Sequence, residues 1–143
     1  YGAAFGVFLK QKLMKKPFTV VGSGNQKRDF LHVKDVANAF YKASIGKHKN
    51  KIYNLGAGNP KKIIDLIKLL KGPHVYIPRR PGEPECTWAN INKFKKDFNW
   101  NPTITFESGV KEMLQNINNW KNAPLWDSKK IKKATKTWFK HLS

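Results

Sequence analysis

The chain has 143 residues, 40% of them hydrophobic and 13% aromatic, which suits one folded region with a modest core and excludes a disordered basic tail. Its formal charge of +19 comes from 28 basic against 9 acidic residues, but 25 of the basic residues are lysines scattered through every segment. That distribution reads as a solvated lysine surface, since nucleic-acid sites cluster arginines and exposed aromatics, and no apolar run reaches the ~20 residues of a membrane span.

Taken in chain order, Phe5, Phe8, Leu9 and Leu13 recur at helical spacing, with lysines in the last turn and Pro17 as the stop. Phe18 to Val21 is a predicted strand that runs into a Gly22-Ser23-Gly24 loop, and Val36 to Tyr41 continue as a helix that opens near Asp35. The Asp35 carboxylate is expected to accept from backbone donors there. Lys51 to Leu55 reads as a strand stopped by Gly56-Ala57-Gly58-Asn59-Pro60. The run Ile63 to Leu70 is apolar almost all round and reads as a buried helix. Val75 to Ile77 is a further strand leading into a Pro-rich loop at 78–84. Phe106, Val110, Met113, Leu114 and Ile117 form one helical stripe ending near Trp120. The last helix, 128–142, sets Ile131, Ala134, Thr135, Trp138, Phe139 and Leu142 on one face and six lysines on the other. Its apolar face is expected to dock on its own domain. No repeat or linker divides the chain, so residues 1–143 read as one region.

The chemistry-bearing residues are few. Cys86 is the only cysteine, which excludes an internal disulfide and a cysteine zinc cluster and fits a cytoplasmic location. The four histidines lack metal-ligand spacing, and no pair of carboxylates recommends itself for acid–base work. His32 reads as structural. Arg28, on the glycine loop, and Arg80, on the Pro-rich loop, offer planar donor forks suited to phosphate or carboxylate. Asn54, a polar side chain beside glycines, reads equally as a ligand contact or a turn former.

The pattern Gly22-x-Gly24-x-Gln26-x-Arg28-Asp29-Phe30, then Val33-x-Asp35-Val36-Ala37, resembles the second-half signature of extended short-chain dehydrogenases/reductases. These are the NAD-dependent epimerases and dehydratases of nucleotide sugars. Tyr53-Asn54-Leu55-Gly56-Ala57-Gly58, Arg79-Arg80-Pro81-Gly82-Glu83, Trp88-Ala89-Asn90 and Phe98-Asn99-Trp100-Asn101-Pro102 follow in matching order. The resemblance implies an α/β substrate-binding lobe of about six helices and short strands, without the N-terminal Rossmann domain. It implies that Arg28 and Arg80 hold the diphosphate of a UDP- or dTDP-sugar, that Glu83 accepts from ribose hydroxyls, and that the backbone at Thr19 and Val21 meets the base. Val21 departs from the aromatic residue of some members, and Asn90 stands where aspartate is common.

No catalytic or cofactor-binding residue is expected here. The family's G-x-x-G-x-x-G loop and Tyr-x-x-x-Lys pair would precede this start, and Tyr1 is followed by Phe5 at the lysine position. The start at Tyr1 suggests a fragment or processed product, inactive alone, whose partner is a Rossmann NAD domain from the parent chain or a separate one. Phe5 and Phe8 are expected to be exposed or covered by self-association. Two alternatives stay open: a non-catalytic nucleotide-sugar-binding module, and a basic nucleic-acid-binding protein on a reused fold.

Overall fold

The computed structural model describes residues 3–48 and 50–142. Helix α1 (Ala4–Leu13) leads into strand β1 (Phe18–Val21), and the two-residue strand β2 (Lys27–Arg28) follows the glycine loop. Helix α2 (Val33–Ile45), strand β3 (Lys61–Lys62), helix α3 (Ile63–Leu70) and strand β4 (His74–Ile77) come next. Strand β5 (Cys86–Thr87), then helices α4 (Asn92–Phe98), α5 (Phe106–Gln115) and α6 (Ser128–Leu142), complete the order, with a 3-10 turn at Ile117–Trp120. No helix among the described residues is long and apolar enough to cross a membrane. Tyr1 lies outside the described residues.

β1 is fully buried and pairs in parallel with β4, Phe18 opposite His74 and Val21 opposite Ile77. β2 lies between β3, antiparallel, and β5, parallel. Parallel pairing uses alternate residues of a strand. The N–H groups of Phe18 and Gly22 donate to the carbonyls of Pro73, just before β4, and Ile77, at its end, so the backbone of Thr19 and Val21 turns to the opposite edge. There, Thr19 N–H donates to Gln11 Oε1, and the Val21 carbonyl accepts from Gly24 N–H and Gln26 Nε2.

Two apolar clusters fill the interior. The first joins Val7, Phe8 and Leu9 of α1, Phe18 and Val20 of β1, the buried face of α3, and Val110. The second gathers Ala39, Ile91, Phe94 and Trp100, with Tyr53, Leu55 and Phe98 around them. Phe30 packs on the first and Leu31 on the second, so consecutive residues divide between them.

α3 has no side-chain cap. The glycine loop replaces one, because the Ile64 and Ile63 N–H groups donate to the carbonyls of Gly24 and Gln26, satisfying donors that a helix start leaves orphaned. Gly24 is required there: its φ is +75°, and a Cβ would sit 2.9 Å from Val20 Cγ1. The loop therefore closes on its own core.

Other expectations are corrected. Residues 51–55 form no strand; Tyr53 and Leu55 turn into the second cluster and Tyr53 OH donates to Asp97, while Ile52 is 88% exposed. Phe8 is internal, packed edge-on against Phe18, and only Phe5 is partly exposed. The stripe from Phe106 breaks at Asn116, between α5 and the 3-10 turn. On α6, Ile131 and Thr135 are buried, whereas Ala134 and Leu142 face solvent. Asp35 does accept backbone donors, but from Thr103 and Ile104, far along the chain, together with the Thr103 hydroxyl. His32 caps α2 by accepting from Lys34 N–H, a structural role.

Burial alone would push the Asp35 carboxyl up, but the donors from Ile104 and Thr103, with His32 nearby, outweigh it and hold it below its ordinary value. The contribution is therefore full above the unfolded aspartate value, about pH 4, and is lost as pH falls through the lower folded value. Acid unfolding followed by circular dichroism should show a flatter acid limb in Asp35→Asn than in the wild type, on a lower plateau at neutral pH.

Candidate functional site

Arg28 is placed by β2, held on both sides by β3 and β5. Its Nη1 donates to the carbonyls of Lys27 and Pro84, and its Nη2 to Glu83 Oε1 at 2.8 Å. Arg80 reaches the same carboxylate from the 78–84 loop, with Nη2 at 3.3 Å from Oε1 and Nε at 3.0 Å from Oε2. The three side chains are mostly shielded, at 22%, 20% and 15% exposure for Arg28, Arg80 and Glu83. Two guanidinium groups thus share one carboxylate, which leaves one positive charge uncompensated within the trio.

The trio lines a cavity of about 440 Å³, and Thr19 and Val21 line it too. That volume falls in the range of ordinary ligand pockets. Five of the six residues singled out from the sequence therefore meet around one space. Asn54 does not; it is exposed and outside the cavity's lining. Sequence reasoning assigned no role to Gln11, which is buried and donates through Nε2 to Thr19 Oγ1 at 2.9 Å and to the Trp126 carbonyl at 2.6 Å. Nor did it assign one to Gln26, which lines the cavity while its Nε2 holds the Val21 carbonyl. Gln26 lies within the glycine motif, which was its signal; Gln11 had none, because a lone glutamine among lysines on a helix looks like surface.

A neighbouring cavity of about 830 Å³ shares Asp29 and Phe30 with the first and is lined mainly by Phe5, Leu31, Ile104, Phe106, Met113 and Trp120. It is more apolar and carries no arginine.

The glycine loop does not fit a dinucleotide pyrophosphate. Such a cradle needs a glycine turn opening directly into a helix, with free amides aimed at the phosphates. Here the loop runs into β2, the Gly22 and Gly24 amides donate to Ile77 and Val21 carbonyls, and the first α3 amides are taken by Gln26 and Gly24.

Residues 6–113 match the GDP-mannose 4,6 dehydratase family. The chain belongs to this family. It is 34% identical over 132 residues to the UDP-glucuronate 4-epimerase of Thermodesulfobacterium geofontis, covering 87% of this chain and 39% of that protein. It is 29% identical to the dTDP-glucose 4,6-dehydratase of Escherichia coli, over 70% of this chain and 32% of that one. The UDP-glucuronic acid 4-epimerase of Bacillus cereus, solved in complex with UDP-glucuronic acid and NAD, superposes with a TM-score of 0.75 at 29% identity, over 82% of this chain and 40% of that one. The chain thus spans about two fifths or less of the relatives it matches, and it corresponds to a C-terminal part of these extended short-chain dehydrogenases/reductases.

Because Glu83 occupies both arginines, Glu83→Gln should free them for another anion. Inorganic pyrophosphate should bind the variant tighter by on the order of tenfold, about 1.4 kcal/mol, when titrated calorimetrically. Equal or weaker binding would show that the carboxylate does not restrain the pair.

Proposed function

We propose that this chain is the nucleotide-sugar-binding part of an NAD-dependent sugar-nucleotide epimerase or dehydratase. The observation that carries it is the convergence of Arg28 and Arg80 on one carboxylate, at the wall of a cavity also bounded by Thr19 and Val21. A diphosphate presents several anionic oxygens, and two arginine forks can engage them with charge-assisted hydrogen bonds that lysines would not orient. In the free chain Glu83 stands in for that anion. When the diphosphate enters, the carboxylate is released towards the ribose hydroxyls, while the Val21 N–H and Thr19 carbonyl, on the edge of β1 away from β4, would meet a pyrimidine base. Asn54 is left as a turn residue.

The bound NAD of such an enzyme accepts and returns hydride. The glycine loop does not fit that cofactor, and the part of Arg28, Arg80 and Glu83 is to bind and orient the sugar nucleotide. The cofactor domain would belong to the rest of the parent protein or to a separate chain. On α2, Val33, Phe40 and Tyr41 are 72%, 67% and 63% exposed and lie with Ala37 along one face, an apolar stripe of the kind that a second domain covers. We therefore assign that covering role to α2 rather than to Phe8. The 143 residues alone are expected neither to bind NAD nor to turn over substrate. The single exposed thiol, Cys86, suits the reducing cytoplasm. In the parent the reaction would be that of an isomerase or lyase acting on sugar precursors of cell-surface polysaccharides.

A nucleic-acid role is the competing reading, from the charge of +19. The two separate by salt and by residue. UDP-glucose binding should be lost in Arg28→Ala, each arginine contributing roughly 1.5–3 kcal/mol, and should weaken little between low and moderate salt. Binding of a random DNA duplex would fall steeply with salt and ignore Arg28→Ala. Tight DNA binding with no response to UDP-glucose would overturn the proposal.

A further inference from the structure

We infer that Trp138, near the end of α6, is a positioning residue for Arg80, and that α6 is a strap holding the 78–84 loop against the cavity. The inference rests on the reading of Arg80 as a diphosphate ligand. It concerns a helix outside the family-matched residues 6–113.

The 78–84 loop belongs to no helix or strand. It is rich in proline, which cannot donate a backbone hydrogen bond, and Gly82 within it has a φ of +71° with open space around it. Its internal ties are a turn, Glu83 N–H donating to the Arg80 carbonyl at 3.3 Å, and the Arg80–Glu83 ion pair. Left to itself, such a loop would have to be ordered whenever a ligand bound, at a cost in affinity. Arg28 holds the loop at its Glu83–Pro84 end, and α6 supplies a second external hold, at Arg80 and Pro81. Trp138 Nε1–H donates to the Pro81 carbonyl at 2.8 Å, and the Arg80 guanidinium carbon lies 5.7 Å from the centroid of the same indole, within cation–π range. One side chain therefore grips the residue after Arg80 by its backbone and Arg80 itself by its charge.

The strap is anchored at its other end. Asp127 Oδ1 accepts from Lys130 N–H to cap α6, and Ile131 and Thr135 are buried. Just before it, the Trp126 carbonyl accepts from Gln11, which also holds Thr19. The chain thus leaves one wall of the cavity, Thr19, and returns through α6 to another, Arg80. Docking of the apolar face alone would require none of these contacts to fall on the arginine loop. Trp138 remains 39% exposed, so its value lies in where it reaches rather than in core volume.

Phenylglyoxal modification of Arg80, followed by peptide mass mapping, reads the hold without any nucleotide; UDP titration reads its consequence. In Trp138→Ala, Arg80 should react several-fold faster and UDP should bind on the order of tenfold more weakly. Trp138→Phe keeps a ring face over Arg80 but loses the N–H donor, and should fall between the two while retaining the wild-type melting temperature. Unchanged modification of Arg80 in both variants overturns the inference, as does faster modification with unaltered UDP affinity. If the wild type fails to bind UDP, the nucleotide-sugar reading falls, and the modification rates still decide whether Trp138 holds Arg80.

Discussion

The arrangement hangs on the Asp29 carboxylate. Its Oδ1 accepts from the N–H groups of Ala57 and Asn59, and its Oδ2 from those of Gly58 and Ala89. Four amides from two distant segments thus close on one side chain. Charge-assisted hydrogen bonds are among the stronger ones in proteins, and few other residue types could accept four at once. The closeness is such that a Cβ on Gly56 would overlap Asp29 Oδ2 and crowd Ala89. Glycine at 56 is therefore a steric consequence of the carboxylate, as Gly24 is of the α3 start.

What Asp29 holds decides where its neighbours go. Arg28, one residue earlier, is fixed in β2 beside β5, and so meets Glu83 and Pro84. Phe30, one residue later, stacks on Phe106 at 5.2 Å and meets Phe5 edge-on. Leu31 enters the second cluster. A single extended stretch thus carries a cavity-lining arginine, a half-buried anchor and the seam between two cores. The surrounding lysines do not share in this. Two arginines reach one carboxylate from two directions, each with paired donors that a lysine would not orient.

Much of this was legible in the sequence, and the exceptions have physical causes. β1 follows from a continuous apolar run between proline and glycine, α3 from a run apolar but for Asp65 and Lys68, and the α6 boundaries from its separate lysine and apolar faces. The convergence of Arg28, Arg80 and Glu83 was legible through the motif order alone, since no local pattern announces contacts between residues so far apart. Residues 51–55 have strand composition, but a strand needs a partner, and Tyr53 instead spends its hydroxyl on Asp97 while its ring packs on Phe94 and Phe98. On α2 the apolar spacing does not mark the buried face: Asp35 and Ala39 are the residues that α2 buries, while Phe40 and Tyr41 are exposed. The donors to Asp35 escaped because they come from a segment, Thr103 and Ile104, whose position only the fold supplies.

The most direct test is a crystal structure of the chain grown with UDP. The expected result places the diphosphate between Arg28 and Arg80, with oxygens of the ligand within hydrogen-bond distance of both guanidinium groups. Glu83 should be turned away from at least one arginine, and the uracil should lie along the edge of β1 at Thr19 and Val21. A diphosphate seated in the larger apolar cavity beside Phe106, or an occupied cleft with the Arg28–Glu83–Arg80 contacts intact, would contradict the assignment of this site.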